Sequence, residues 1–221
     1  GNITATVQAN TTAGFSIVTY TGNGVQTGKT VGHGLGAVPK MIISKDRGGS
    51  SNVPTWRTYH VSIGATKYLQ LPQNDAASTY NDWDNTTPTS SVYSVGGAGG
   101  YTPTNTNNTN YVAYVFAEVQ GYSKFGKYIG NGASDAAPAT NGPFIYTGFS
   151  PAFVIIKKIS AVDDWLLFDN KRAGYDPAVY RLFPNSSSAE TSGTNNTIQF
   201  TSNGFKIRFH GGSMNTSGGT Y

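Results

Sequence analysis

The chain has 221 residues, of which 12% are charged and 13% aromatic, with 28 glycines and no cysteine. A chain of this length and aromatic content can bury a core, and the absence of cysteine excludes thiolate metal sites and cysteine nucleophiles. The net charge of +4 is scattered rather than clustered, which argues against a nucleic-acid partner, and no apolar run approaches the roughly 18 residues of a membrane span.

Short runs of β-branched and aromatic residues, bounded by turn residues, recur along the whole chain and are typical of strands. No segment combines helical periodicity with caps, so we predict an all-β protein. Phe205–Phe209 alternates apolar with basic residues, so one face should meet a core and the other water. The predicted strands are Phe15–Tyr20, Lys40–Ser44, Lys67–Leu71, Ser91–Val95, Tyr111–Val119, Ala152–Ile159, Asp164–Phe168, Val179–Phe183, Thr197–Phe200 and Phe205–Phe209.

The stretch Gly28-Lys29-Thr30 resembles the end of a phosphate-binding loop. That loop requires a glycine at the position held here by Asn23, and it must open a helix. The glycines and the proline that follow Thr30 cannot hold a helix. A nucleotide site is therefore not expected here.

Asn-Gly pairs punctuate the chain, and both residue types tolerate the positive φ of tight hairpin turns. We therefore predict hairpins at these pairs, which are Asn23-Gly24, Asn131-Gly132, Asn141-Gly142 and Asn203-Gly204.

Segments of the first half return in the same order in the second half, which indicates an internal repeat. Trp56 aligns with Trp165 between the matching segments, and we expect both to pack in a core together with Tyr59. The matches are Tyr20–Gly24 with Tyr128–Gly132, Val38–Lys45 with Ser150–Lys157, and Lys67–Ser78 with Val179–Glu190.

The repeat predicts two tandem antiparallel β-sandwich-like domains of jelly-roll or lectin-like type, at residues 1–121 and 122–221. The second is expected to be incomplete, because Gly218–Tyr221 matches only the beginning of the strong strand in Asn110–Val119. Either a longer protein or another chain would supply the missing strand.

The sequence resembles a repeat found in structural proteins of tailed bacteriophages, especially marine and cyanobacterial phages. The resemblance runs through Thr11–Gly24, Val31–Lys45 and Asn110–Gly126, and continues in Gly142–Lys158 and Ser202–Phe209. It implies a place in a modular tail-fibre-like or other virion-surface protein, often beside lectin-like β-sandwich modules. It supplies no catalytic residues and no cofactor.

The densest carboxylate group in the first half is Asn81–Asn85, where Asp82 and Asp84 flank Trp83 and Tyr80 precedes them. The carboxylates could coordinate calcium or form the acid/base pair of a glycosidase. With the aromatic rings, they could instead hold a sugar. The alternative is a polar loop in which Trp83 packs against the edge of the sandwich.

Two further features are weaker candidates. Tyr101 lies in the long glycine-rich loop Gly96–Asn110, which could contact a receptor or could simply be flexible. The three histidines, His33, His60 and His210, have no partner at metal-ligand spacing, and we expect His33 to be a turn residue whose ring bonds nearby backbone.

These observations predict a non-enzymatic, structural module on the virion surface. It would contact other virion proteins and a host-surface glycan, with no cofactor and no metal, and would gain avidity as a homo-oligomer. Two alternatives stay open: a purely architectural capsid-decoration or fibre-shaft protein, and an enzyme that degrades polysaccharide.

Overall fold

The computed structural model describes residues 1–48, 56–133, 141–172, 178, 180–193, 197–208 and 212–221. These residues contain fourteen strands and one short helix, and every pair of hydrogen-bonded strands is antiparallel. This confirms the predicted all-β antiparallel class. The strands are β1 Ala5–Asn10, β2 Phe15–Thr21, β3 Lys29–Gly32, β4 Pro39–Asp46, β5 Trp56–His60, β6 Lys67–Gln70, β7 Ser78–Thr79, β8 Val92–Val95, β9 Asn110–Ala117, β10 Phe144–Tyr146, β11 Phe153–Lys157, β12 Trp165–Asp169, β13 Ile198–Thr201 and β14 Gly204–Ile207; the helix α1 is Gly212–Asn215.

The chain divides into two compact units. Unit 1 comprises Gly1–Leu71 and Ala77–Gly126, and unit 2 comprises Pro72–Ala76 and Lys127–Tyr221. The short segment Pro72–Ala76 therefore packs with unit 2 although it lies within the first half of the sequence. The only helix in the described residues is too short to cross a membrane.

Unit 1 is built on a seven-stranded sheet in the order β1-β2-β9-β4-β5-β6-β7. The interior strand β9 alternates buried with half-buried residues, so Tyr111, Ala113 and Val115 share the buried face. That face packs against the two-stranded sheet of β3 and β8, which contributes Val31 and Tyr93 to the same apolar cluster. The result is a sandwich-like unit with two sheets around one core.

Unit 2 contains a three-stranded sheet in the order β10-β14-β13 and a two-stranded sheet of β11 and β12. Apolar residues of both sheets form one cluster, including Ile156, Phe168 and Ile207, which Met214 of α1 and Tyr221 join. Phe205 and Ile207 are buried while Lys206 and Arg208 are half-buried, as the alternation of this strand predicts.

The strands with clear apolar alternation, such as β2, β4 and β9, lie where the sequence predicts them. The predicted strand Val179–Phe183 is wrong in its described part, because Arg181 and Leu182 form only isolated bridges. Strands β1, β3, β5, β7 and β10 are not among the predicted strands.

Two of the four Asn-Gly pairs do not form the predicted hairpins. Asn203-Gly204 does, since it joins β13 to β14 with Thr201 paired to Gly204. Asn141-Gly142 precedes β10, and the residues before this pair, 134–140, lie outside the described residues. The other two pairs bind a distant asparagine instead, one pair in each unit.

In unit 1 the distant asparagine is Asn105, which is fully buried. Its Oδ1 accepts the Asn23 N–H (3.0 Å), while its Nδ2 donates to Asn23 Oδ1 (2.8 Å) and to the Val25 carbonyl (2.7 Å). The Tyr20 and Tyr111 rings stack beside it, with centroids 5.0 Å apart. We call this arrangement an asparagine lock.

Unit 2 contains a second asparagine lock with the same two bonds to the turn asparagine. Asn215 Oδ1 accepts the Asn131 N–H (2.9 Å), and Asn215 Nδ2 donates to Asn131 Oδ1 (3.0 Å). The Tyr128 and Tyr221 rings stack with centroids 5.0 Å apart. Each unit thus closes its Asn-Gly turn on its own buried asparagine.

Trp83 and Trp165 are buried and Trp56 is half-buried, so the predicted core position is confirmed for Trp165 and wrong for Trp56. Trp83 is 1% exposed and belongs to the apolar core cluster of unit 1, where its ring meets Tyr59 edge-on at 5.9 Å. Trp56 is half-buried beneath Lys45 (5.7 Å), because strand alternation turns it away from the core that Tyr59 enters. Trp165 is buried and donates its indole N–H to the Gln73 carbonyl (3.1 Å) rather than joining the apolar cluster of unit 2.

Candidate functional site

The candidate site of unit 1 is a group of tyrosines around one arginine. Strand β5 carries Arg57 on the same face as the core residue Tyr59, so the guanidinium is buried. It stacks on Tyr68, with Cζ 3.9 Å from the ring centroid, and its Nη2 donates to Tyr101 Oη at 3.3 Å. We call Tyr68, Tyr80 and Tyr101 the tyrosine cluster.

Tyr80 and Tyr101 contact each other with ring centroids 5.8 Å apart. The Tyr80 hydroxyl also lies 2.6 Å from the Ala98 carbonyl oxygen and 3.0 Å from that of Tyr101. These bonds fix the tip of the loop that carries Tyr101, and Thr104 and Asn105 in the same loop are fully buried. The loop is therefore packed rather than flexible, and it holds Tyr101 at the surface with 37% of its area exposed.

Asp82 lies behind Arg57 as its counter-charge. Its Oδ2 is 3.4 Å from Arg57 Nη1, and both side chains are buried. Neither Asp82 oxygen has a hydrogen-bond donor among the described residues. Burial raises the pKa of the Asp82 carboxyl to about 7, although the Arg57 charge acts in the opposite direction.

The structure therefore corrects the predicted ligand-binding role of two residues. Asp82 and Trp83 are fully shielded from solvent, since one pairs with Arg57 and the other fills the core. Asp84 stands in a turn with φ of 49°, and its Oδ2 accepts the Gly28 N–H at 2.7 Å. The structure brings only Tyr80 and Tyr101 of the predicted set to one surface.

The stretch Gly28-Lys29-Thr30, which resembles the end of a phosphate-binding loop, lies where Asp84 binds the Gly28 N–H. Gly28 has φ of +71° in the turn before β3, and Lys29 and Thr30 pair with Val95 and Ser94 of β8. A strand follows the glycine where a phosphate-binding loop needs a helix.

The described histidines serve as local hydrogen-bonding groups. His33 is fully buried, and its Nδ1 accepts the Leu35 N–H (3.3 Å) while its Nε2 lies 3.1 Å from the Thr89 carbonyl. This confirms the predicted bonding of its ring to backbone groups. His60 Nδ1 accepts the Ser62 N–H (3.2 Å), and burial lowers the pKa of this ring to about 4. His210 lies outside the described residues. Within the described residues, no cluster of three or more histidine or acidic side chains could hold a metal ion.

Unit 1 also has a groove of about 400 Å³ at one end of β1, β2 and β9. Its lining is polar and carries one cation, Arg47. The other lining residues are Thr4, Ala5, Thr6, Thr19, Tyr20, Thr21, Asn110 and Tyr111. The groove presents hydroxyl and amide groups but lacks the exposed ring that the tyrosine cluster offers.

Sequence reasoning missed Arg57 and Tyr68, which organise the site. One signal was available, because Arg57 shares the strand parity of Tyr59, and a charge on a core-facing position needs a buried partner. The partner Asp82 is distant in sequence, so only the fold reveals the pair.

The sequence model of a family described as a domain of unknown function, DUF7483, matches residues 1–221. Comparisons with curated proteins and with solved structures give no match.

Proposed function

The chain belongs to this family of unknown function, and we propose that it is a non-enzymatic module of a tailed-phage virion surface that binds a host-surface glycan through its tyrosine cluster. The observation that carries the proposal is Tyr101, which is 37% exposed and held in place by Arg57 and Tyr80. The virion location, in a tail fibre or a related appendage, rests on the sequence resemblance described above.

The chemistry of the cluster suits a sugar. Tyr101 offers a ring face on which C–H groups can pack. Its hydroxyl accepts a hydrogen bond from Arg57, so the phenolic proton can be donated to a sugar hydroxyl. Because the loop is packed beforehand, binding would lose little conformational entropy. The single site is small, so useful affinity would come from several copies acting together.

The two carboxylates of Asn81–Asn85 already have structural partners, which favours a binding module over a polysaccharide-degrading enzyme. Asp82 pairs with Arg57 and Asp84 caps the Gly28 N–H. An acid/base pair for glycoside hydrolysis needs both carboxylates to face the substrate.

The test is an array of bacterial surface polysaccharides probed with the full chain, biotinylated and displayed on labelled streptavidin. We expect binding to a subset of the polysaccharides and a loss of about tenfold for Tyr101→Ala. Tyr122→Ala is the matched control, because Tyr122 is 65% exposed and lies outside the cluster. An array without signal, or equal binding by Tyr101→Ala, would refute the glycan proposal.

A purely architectural role is the second candidate, and the outer face of the seven-stranded sheet favours it. Ile17, Tyr114 and Ile43 form a row across β2, β9 and β4, and all three are half-buried. A row of this kind can pack against a neighbouring protein. This role would be supported if the wild type self-associates, Ile17→Lys abolishes the self-association, and Tyr101→Ala changes neither self-association nor polysaccharide binding.

A further inference from the structure

Strands β11 and β12 of unit 2 pair in the same way as β4 and β5 of unit 1. Lys157 faces Trp165 at one end of the ladder, as Lys45 faces Trp56. At the other end Phe153 faces Asp169, as Met41 faces His60. β11 is therefore the counterpart of β4 by its register.

In unit 1, the second edge of β4 is paired with β9 from Asp46–Tyr111 to Pro39–Ala117, with a shift of register between Pro39 and Met41. The first hydrogen bond of this pairing runs from the Arg47 N–H to the Asn110 carbonyl at 2.8 Å. Unit 2 has the equivalent of this first bond, because the Ile159 N–H donates to the Thr220 carbonyl at 2.9 Å.

Beyond that bond, β11 has β12 as its only strand partner among the described residues. The Asn170 N–H donates to the Ala152 carbonyl at 3.0 Å. Because antiparallel bonds alternate along a strand, Val154 and Ile156 bond to β12, while the backbone N–H and C=O of Phe153 and Ile155 point to the other edge. The Phe153 side chain on this strand is 57% exposed.

We propose that this free edge of β11 binds an extended segment of another polypeptide, which adds to unit 2 as β9 adds to β4. Backbone bonds to Phe153 and Ile155 would hold the segment, and edge strands are ready templates for such pairing. The segment should share the pattern of β9, with small or aliphatic residues toward the core, as at Ala113 and Val115, and aromatic or aliphatic residues on the outer face, as at Tyr114. This interaction is independent of the glycan proposal.

The test adds a synthetic peptide with the sequence of Asn110–Val119 to the full chain and follows amide hydrogen exchange by NMR. We expect exchange at Phe153 and Ile155 to slow by about tenfold or more. A peptide with Tyr114→Pro should have no effect, because Tyr114 faces Ile43, the β4 counterpart of Ile155, and proline there removes a backbone donor to the edge that it would join. Unchanged exchange with the Asn110–Val119 peptide, or protection of both amides before any peptide is added, would overturn the proposal.

A variant of the chain gives the matched control. Ile155→Pro removes an edge donor while the bonds of Val154 and Ile156 to β12 remain, and proline is tolerated at the free edge of a strand. We expect a folded variant that no longer binds the peptide. If Ile155→Pro unfolds unit 2, Phe153→Asp replaces it, since this exposed position tolerates a charge that would oppose the apolar segment. Either variant, folded and still binding the peptide as the wild type does, would contradict the edge as the binding surface.

Discussion

Gly22 and Gly130 let two chain segments approach more closely than any side chain would allow. A Cβ on Gly22 would lie 2.2 Å from the Thr106 carbonyl oxygen, and a Cβ on Gly130 would lie 2.3 Å from that of Thr216. We expect Gly22→Ala and Gly130→Ala each to lower the free energy of unfolding by about 2 kcal/mol or more. Gly126→Ala is the control, since nothing lies within 4 Å of its Cβ position; a change within about 1 kcal/mol is expected there. Chemical denaturation measures all three, and equal stability of Gly22→Ala and Gly126→Ala would contradict the close approach.

His60 makes unit 1 sensitive to mild acid. Its pKa is about 4 in the folded protein, against about 6.5 for an unfolded histidine. Between these values the unfolded state binds more protons, so stability falls as the pH drops from 6.5 toward 4. Asp82, with a pKa raised to about 7, acts oppositely: its contribution is present at low pH and is lost as pH rises through 7.

Comparison with His60→Gln isolates the histidine, because Asp82 is present in both proteins. We expect the wild type to lose about 2 kcal/mol more than the variant between pH 7 and pH 4.5. Urea denaturation at the two pH values measures this difference. Parallel losses in the two proteins would show that His60 does not titrate in this window.

At the scale of elements, the asparagine locks tie each Asn-Gly turn to a distant loop. Asn105→Ala removes the partners of Asn23 and Val25 inside unit 1, and unsatisfied buried groups are costly. We expect a loss of about 2 to 4 kcal/mol in the free energy of unfolding, measured by chemical denaturation. Asn107→Ala, at an exposed position of the same loop, should stay within about 0.5 kcal/mol of the wild type. A similar small change for Asn105→Ala would show that the lock does not stabilise the unit.

The locks also mark where sequence reasoning fails among the elements. Strands β2, β4 and β9 are predictable because burial on one face imposes period-two alternation on their residues. Asn23-Gly24 is not, because its turn is set by a partner 82 residues away and local turn preferences carry no information about it. Strand β1 is not predictable from the sequence for a related reason. Most of its residues are exposed, so few of them need to be apolar.

At the scale of the whole molecule, the candidate site was half predictable. Tyr80 and Tyr101 were found because aromatic residues in polar loops are conspicuous. The assignment of Trp83 was wrong because an aromatic residue among carboxylates can face either the core or the solvent, and here its ring packs against Tyr59 in the core. Arg57 and Tyr68 were missed because β5 and β6 meet Tyr101 only in the folded unit. The predicted division into repeats at residues 1–121 and 122–221 stays a prediction.

Glycan binding by the tyrosine cluster is tested most directly by NMR. The side-chain signals of Tyr101, Tyr68 and Arg57 are followed during titration with oligosaccharides released from bacterial surface polysaccharide. Binding at the tyrosine cluster predicts concentration-dependent shifts of the Tyr101 ring and of the Arg57 Nε–H, with little change at the groove of Thr6, Thr19 and Arg47. Signals at the tyrosine cluster that do not move at saturating oligosaccharide, or shifts confined to that groove, would contradict the proposed site.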